Sequence, residues 1–174
     1  HLDDHGCIDH RYALATYNQA ILVNPKCIHA YQYKAALFLD LKWYSLSATA
    51  YNRGIQLDPN DLAMHFWRGE ALLNTSRYRE ALEDFEWIIQ HDESESKDIL
   101  VYYNKGRSLC GYGLYNDALA TFKKTLLFFV EMYMKSKYIH NPFSYTNRYT
   151  DDNYGSCTAY YDYSSVITFN GIYS

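Results

Sequence analysis

The 174-residue chain has few of the residues that interrupt or crosslink a polypeptide. It contains three prolines, eight glycines and four cysteines, and no two cysteines form a Cys-x-x-Cys pair. This usage favours neither a zinc ribbon nor a dense disulfide framework. Basic residues number 16 against 20 acidic ones, giving a net charge of -4. No electrostatic footprint for a nucleic acid is therefore expected.

Long apolar runs are also missing. The run at residues 126–130 is among the longest, and it is far shorter than the roughly 20 residues that a membrane-spanning helix needs. The sequence opens at His1 without a charged-then-apolar leader, so it is interpreted as processed or truncated. A cytoplasmic location is favoured, but secretion is not excluded because this N-terminus is not a native one.

Tyrosine is abundant, with 20 residues, and many of these tyrosines belong to a period of 34 residues. The positions that repeat at this step are Ala13, Ser47 and Ala81; Tyr17, Tyr51 and Phe85; Ile21, Ile55 and Ile89; and Pro25 and Pro59. Beyond residue 90 the step becomes 37, which indicates a three-residue insertion within residues 91–98. Periods of this length are typical of solenoids.

Each period predicts two helices joined by a turn. In the first, a small residue precedes a large apolar one by three positions, as in Gly69 and Leu72. In the second, a small residue precedes an aromatic by four, as in Ala81 and Phe85. Both spacings place the paired residues on one helix face, where small side chains allow the two helices to approach closely.

These positions resemble the tetratricopeptide repeat (TPR) family over residues about 10–127. The resemblance rests on WRGEAL at 67–72, YREALEDF at 78–85 and Asn24-Pro25, with agreement in three or four copies. It implies an all-α solenoid of helical hairpins, wound as a right-handed superhelix, with a Tyr-rich irregular C-terminal extension. It also implies a protein partner and no cofactor. Lys34 departs from the pattern, since that position is usually apolar.

The predicted domain organisation has three parts. A polar segment covers residues 1–9, the solenoid covers 10–132, and the end of a long helix with the Tyr-rich tail covers 133–174. Within the solenoid we expect a half repeat at 10–27 and full repeats at 28–61, 62–98 and 99–132. The first unit lacks its first helix, so its apolar face needs a cover.

Several residues are weighed as chemical sites. His1, His5, Cys7 and His10 are metal-competent but match no ligand spacing, so no metal site is expected. The acidic run Asp92, Glu93, Glu95 and Asp98 is interpreted as a solvated loop rather than a calcium site. Asn74 begins an Asn-x-Ser triplet and is a possible glycosylation acceptor. No nucleophile with a base, phosphate loop or His-Glu-x-x-His motif is present, so the chain is not expected to be an enzyme.

A concave groove, formed by the first helices of successive units, is the expected binding site. Its candidate residues are His29, Gln32, Tyr33, Ala36, Ala63, Phe66, Trp67, Glu70, Tyr103, Asn104 and Arg107. Such aromatic residues suit an apolar peptide or helix. The alternative is that several of these rings pack within their own hairpin.

Two functions remain open. In one, the chain is a non-catalytic scaffold that binds a partner segment in the groove as part of a larger assembly. In the other, it is a self-assembling subunit whose open N-terminal face is completed by the C-terminal helix or tail of a neighbouring copy. The candidate assembly surface comprises Tyr12, Leu14, Tyr17, Phe128, Phe129, Tyr160, Tyr161 and Tyr163.

Overall fold

A computed structural model of the protein describes residues 10–93 and 98–138, with side chains described as far as residue 134. The described residues form helices without any strand. They are α1 His10–Val23, α2 Ile28–Asp40, α3 Tyr44–Leu57, α4 Leu62–Asn74, α5 Tyr78–His91, α6 Ile99–Tyr112 and α7 Tyr115–Tyr138. This all-α arrangement of consecutive hairpins confirms the predicted fold class. The repeat bounds and the division at residue 132 stay predictions.

The turn inside each hairpin has the same backbone geometry in all three full units. Its central residue lies in the left-handed region, with φ of 60° at Lys42, 61° at Ser76 and 92° at Gly113. The next residue donates its N–H to a carbonyl five residues earlier, as Trp43 does to Phe38 at 2.8 Å. This cap satisfies carbonyls that the end of a helix would otherwise leave unpaired.

Aspartates begin two of the first helices. The carboxylate of Asp61 accepts from the Met64 N–H at 3.0 Å, and that of Asp98 accepts from the Leu100 N–H at 2.8 Å. Both are N-caps, which give an acceptor to an unpaired N–H and place negative charge at the positive end of the helix. Asp98 thus has a structural role that the interpretation as a solvated loop did not include.

Small residues bring the two helices of each hairpin together, as the pattern predicts. A Cβ added at Gly69 would lie 2.9 Å from the Phe85 ring, and one at Gly106 would overlap the Phe122 ring. Phe85 is fully buried, and Tyr51 is 2% exposed in a cluster that includes Met64. Burial raises the pKa of Tyr51 far above its ordinary value. Tyr51 is therefore a packing residue rather than a reactive one.

The solenoid curves toward its first helices. Helix α2 contacts α4 and α4 contacts α6, whereas no contact joins α3 to α5 or α5 to α7 among the described residues. Helices that touch across a repeat line the inner side of the curve. The groove face predicted from the sequence is therefore the face formed by α2, α4 and α6.

A polar contact recurs at each junction between hairpins, and we call this series the inter-hairpin ladder. In each case a cation on a first helix donates to an oxygen on the preceding second helix. The contacts are Lys34 Nζ to Asn18 Oδ1 at 2.8 Å, Arg68 Nη1 to Asn52 Oδ1 at 2.7 Å, and Lys105 Nζ to Glu86 Oε1 at 3.0 Å. The members keep the 34- and 37-residue steps of the repeat, so the ladder is a property of the fold.

The ladder contact made by Arg68 belongs to a larger buried network. Asp84 is 2% exposed and accepts from Arg68 Nε at 2.9 Å and from Arg68 Nη2 at 2.5 Å. His65 Nδ1 lies 2.8 Å from the same carboxylate, and His65 Nε2 lies 3.1 Å from the Pro59 carbonyl oxygen. Arg68 thus joins Asp84, in its own hairpin, to Asn52 in the preceding one.

Candidate protein-binding site

The predicted groove residues fall into two groups in the structure. Phe66 and Asn104 are buried, at 3% and 4% exposure, and Phe66 packs edge-on against Phe85 at 6.1 Å. Their side chains belong to the core, so we leave both out of the binding surface. The sequence predicts them in the groove because the repeat alignment does not fix, to within one residue, which positions of a first helix face the groove and which face the core.

The other candidates are at least partly exposed on the first helices. Five of them combine aromatic area with charge, and we call this set the groove surface: Tyr33, Trp67, Glu70, Tyr103 and Arg107. Tyr33 and Trp67 occupy equivalent repeat positions, as do Glu70 and Arg107 at the longer step. The set therefore contains two equivalent pairs, one on α2 and α4 and the other on α4 and α6, together with Tyr103 on α6.

Glu70 on α4 and Arg107 on α6 carry charges of opposite sign on this surface. Burial raises the pKa of Glu70, and the guanidinium of Arg107 opposes part of that rise. The same guanidinium lies 5.9 Å from the centre of the Tyr103 ring and donates to Asn104 Oδ1 at 3.0 Å. Arg107 is thus held in place by its neighbours, while Tyr103 stays 44% exposed.

At the N-terminal end of the groove, contacts between aromatic rings hold the side chains in place. The His29 ring stacks on Tyr33 with centroids 6.0 Å apart, and Tyr17 lies 6.1 Å from Tyr33. His29 Nδ1 is also 3.5 Å from Gln32 Oε1. Tyr33 is therefore a half-buried ring of α2 that packs on rings from α1 and from its own helix.

The predicted assembly residues are distributed over the two ends. On α1, Tyr12 is 58% exposed, whereas Leu14 packs on the core and Tyr17 is half-buried. On α7, Phe129 is 42% exposed, whereas the Phe128 ring packs edge-on against Tyr102 at 5.1 Å. The other three assembly residues, Tyr160, Tyr161 and Tyr163, lie outside the described residues.

The remaining candidate sites have simple positions. Asn74 is exposed at the end of α4, and its amide donates to the Glu70 carbonyl at 2.9 Å. Its glycosylation stays a prediction. His1, His5 and Cys7 lie outside the described residues, and His10 begins α1. No described helix has the length and apolar character that crossing a membrane requires.

A polar cleft of about 360 Å³ lies on the other side of α4, between α3 and α5. Its lining includes Asn52, Arg68, Arg77, Glu80 and Glu83. Hydrogen bonding to Arg77 lowers the pKa of Glu80, and Arg68 is held by the ladder. Because the charged groups of the cleft already have ion-pair partners, it is a weaker candidate than the groove surface.

The chain was compared with protein-family models, curated proteins and solved structures. No protein-family model matches the chain. The Tetratricopeptide repeat and J domain-containing co-chaperone DNJ1 of Cryptococcus neoformans var. grubii is 43% identical over 47 residues, which are 27% of this chain and 9% of that protein. The match thus spans less than a tenth of the co-chaperone's length.

Solved structures of MamA share the architecture. A MamA RS-1 ArsTM double mutant has a TM-score of 0.64 at 17% identity, and the match covers 71% of this chain and 68% of the mutant's chain. A crystal structure of MamA has a TM-score of 0.63 at 18% identity, covering 78% and 70%. MamA 41-end from Desulfovibrio magneticus RS-1 has a TM-score of 0.63 at 17% identity, covering 71% and 68%. On its repeat pattern, its helical hairpins and these comparisons, the chain has a helical-hairpin solenoid fold like that of tetratricopeptide-repeat proteins.

Proposed function

We propose that the chain is a non-catalytic scaffold that binds a segment of a partner protein along the groove surface. The repeat fold is that of protein-interaction scaffolds, which supports the general role. The observation that carries the finer proposal is the contact of α2 with α4 and of α4 with α6. This contact makes one continuous face from aromatic and charged side chains that lie far apart in sequence.

The chemistry of the groove surface favours a partner segment with large apolar side chains. Tyr33, Trp67 and Tyr103 offer ring faces and edges, and aromatic side chains give much contact area at a low cost in conformational entropy. Glu70 and Arg107 offer an acceptor and several donors at the centre of the face, which fits the polar backbone of a bound segment. The bound segment is expected to cross at least two repeats.

A selection from a random 12-residue peptide library displayed on phage tests this proposal. Peptides enriched on the intact protein are then measured by isothermal titration calorimetry against Tyr103→Ala and against Trp67→Ala with Tyr103→Ala. We expect at least a tenfold loss of affinity, because truncating a central interface aromatic commonly costs about 2 kcal/mol. Leu46→Ala, an exposed residue on α3, is the matched control and leaves affinity unchanged.

Folding and binding are separated by circular dichroism of each variant. Tyr103 is 44% exposed, so its truncation leaves the helical signal intact, whereas Trp67 packs partly on the core. Equal affinity of the wild type and the double variant for every enriched peptide would rule out the groove surface as the binding site.

The alternative, a self-assembling subunit, is favoured by exposed apolar side chains on the first helix. Tyr12, Leu22 and Val23 on α1 are 58%, 75% and 75% exposed. Exposed apolar area of this kind is often an interface. Light scattering after size-exclusion chromatography tests it: a monomeric mass at every concentration up to the millimolar range excludes self-assembly. The expected absence of nucleic-acid binding stays a prediction from the net charge.

A further inference from the structure

Helix α7 carries a row of exposed apolar side chains, which we call the α7 stripe. Its members are Tyr115, Leu119, Leu126, Val130 and Tyr133, and each is between 47% and 70% exposed. Their spacings of three, four and seven residues place them on one face of the helix. The stripe lies on the last described helix and is separate from the groove surface on α2, α4 and α6.

Repeat equivalence shows what kind of element this face accepts. The residues 37 positions earlier on α5 include Tyr78, Leu82 and Ile89, and α6 packs on α5 at Tyr78. A Cβ at Gly111 of α6 would overlap the Tyr78 ring, and Leu82 and Ile89 are half-buried. Tyr115, the equivalent of Tyr78, is instead 70% exposed. The α7 stripe therefore has the form of a helix-docking face.

The inter-hairpin ladder shows which helix fits the stripe. At every earlier junction the second helix supplies an oxygen acceptor, the last being Glu86. The equivalent position on α7, again 37 residues later, is Lys123. Lys123 is exposed and has no ion-pair partner among the residues that the structure describes. The ladder position on α7 thus carries a cation, whereas the second helix at each earlier junction carries an oxygen acceptor.

The cation at Lys123 disfavours docking of the chain's own first helices on the α7 stripe. Helices α2, α4 and α6 each present a cation at the ladder position, namely Lys34, Arg68 and Lys105. Docked on α7, any of them would place that cation against Lys123, and like charges at a contact disfavour the pairing. A helix with a carboxylate at the same position would form an ion pair instead.

We propose that the α7 stripe is a second interaction surface, which binds an amphipathic helix of a partner protein in the way that α6 packs on α5. The bound helix carries an acidic residue opposite Lys123 and a glycine or alanine opposite Tyr115. This surface acts independently of the groove surface, so either one could fail its test without the other.

A charge-swap titration tests the proposal. The probes are two stapled helical peptides with the sequence of residues 98–112 and Cys110→Ser, one keeping Lys105 and the other carrying Lys105→Glu. Each is titrated to millimolar concentration into the intact ¹⁵N-labelled protein, and amide signals of α7 are followed by NMR. The same titrations use Lys123→Glu and, as the matched control for net charge, Lys26→Glu on the turn between α1 and α2.

We expect the Lys105→Glu peptide to bind the wild type and the Lys26→Glu protein at least fivefold more tightly than the Lys105 peptide. That ratio is what a partly exposed ion pair contributes at the upper end of its range. The preference reverses in Lys123→Glu. Leu119→Asp with Leu126→Asp abolishes binding of both peptides while the fold is kept, because both side chains are exposed.

Three results would overturn the proposal. In the first, neither peptide moves the α7 signals, as happens if residues 139–174 or a second copy of the chain hold the face. In the second, both peptides bind with equal affinity, which removes the role of Lys123. In the third, the Lys105 peptide binds the wild type more tightly, which shows that the ladder continues with its usual polarity.

Discussion

Replacing Arg68 by methionine should cost more stability than any exposed arginine replacement in the chain. Arg68 gives two hydrogen bonds to the buried Asp84 and one to Asn52. Methionine keeps the aliphatic stem but leaves Asp84 as a buried carboxylate whose remaining partner is His65 at 2.8 Å. Removing one partner of a buried ion pair costs about 3–5 kcal/mol. Because His65 remains, we expect the lower end, about 3 kcal/mol.

A double-mutant cycle separates the ion pair from general packing. Asp84→Leu with Arg68→Met leaves no buried charge, although His65 loses an acceptor, which costs about 1 kcal/mol. The double variant should therefore be about 2 kcal/mol more stable than Arg68→Met alone, and its loss should be smaller than the sum of the two single losses.

The assay is urea unfolding followed by the helical circular-dichroism signal. Arg53→Met is the matched control, because Arg53 is exposed and bonds only Gln56, at 2.9 Å, among the contacts described. It should cost less than about 0.5 kcal/mol. The reasoning is wrong if Arg68→Met matches the control within error, or if the two single losses simply add in the double variant.

Two further substitutions test the groove charge and the turn geometry. Burial raises the pKa of Glu70, so the native state keeps its proton to higher pH than the unfolded chain, and stability falls as pH rises above the ordinary value of 4.5. Glu70→Gln should flatten that fall, as measured by thermal unfolding between pH 4 and 7; an unchanged slope contradicts the assignment. Lys42 has a φ of 60°, so Lys42→Gly should raise stability by about 0.5 kcal/mol. Lys26→Gly, at a turn residue without a positive φ, should lower it in the same urea assay.

The helices could be predicted from the sequence because the 34-residue repeat shows both where equivalent residues recur and which of them share one face of a helix. Gly69 and Gly106 are recognisable from the repeat as positions of close helix approach, whereas their ring partners, Phe85 and Phe122 of the same hairpins, are shown only by the folded chain. The turn that each period predicts between its two helices is present, and Gly113 in one of these turns is left-handed. Lys42 and Ser76 adopt the same conformation without being glycine, because the repeated hairpin geometry imposes it.

The polar contacts between hairpins could not be predicted in this way. Lys34 occupies a position that is usually apolar in the repeat, yet its Nζ reaches Asn18 across the junction at 2.8 Å. The partner lies 16 residues away on another hairpin, so no helical periodicity links the two. Trp67 and its neighbour Phe66 show the same limit in the groove, since one residue of rotation separates a half-exposed ring from a buried one.

The first helix of the described structure is attached through a single neighbour. Helix α1 has no buried residue and contacts only α2 among the described elements, whereas α4 contacts α2, α3, α5 and α6. Release of α1 would therefore leave every other interface intact, while release of α4 would break four at once. Because the stability of a solenoid is a sum over adjacent units, breaking this single interface costs less than breaking the four interfaces of α4. Among the described helices, α1 can therefore detach from α2 without unfolding the others.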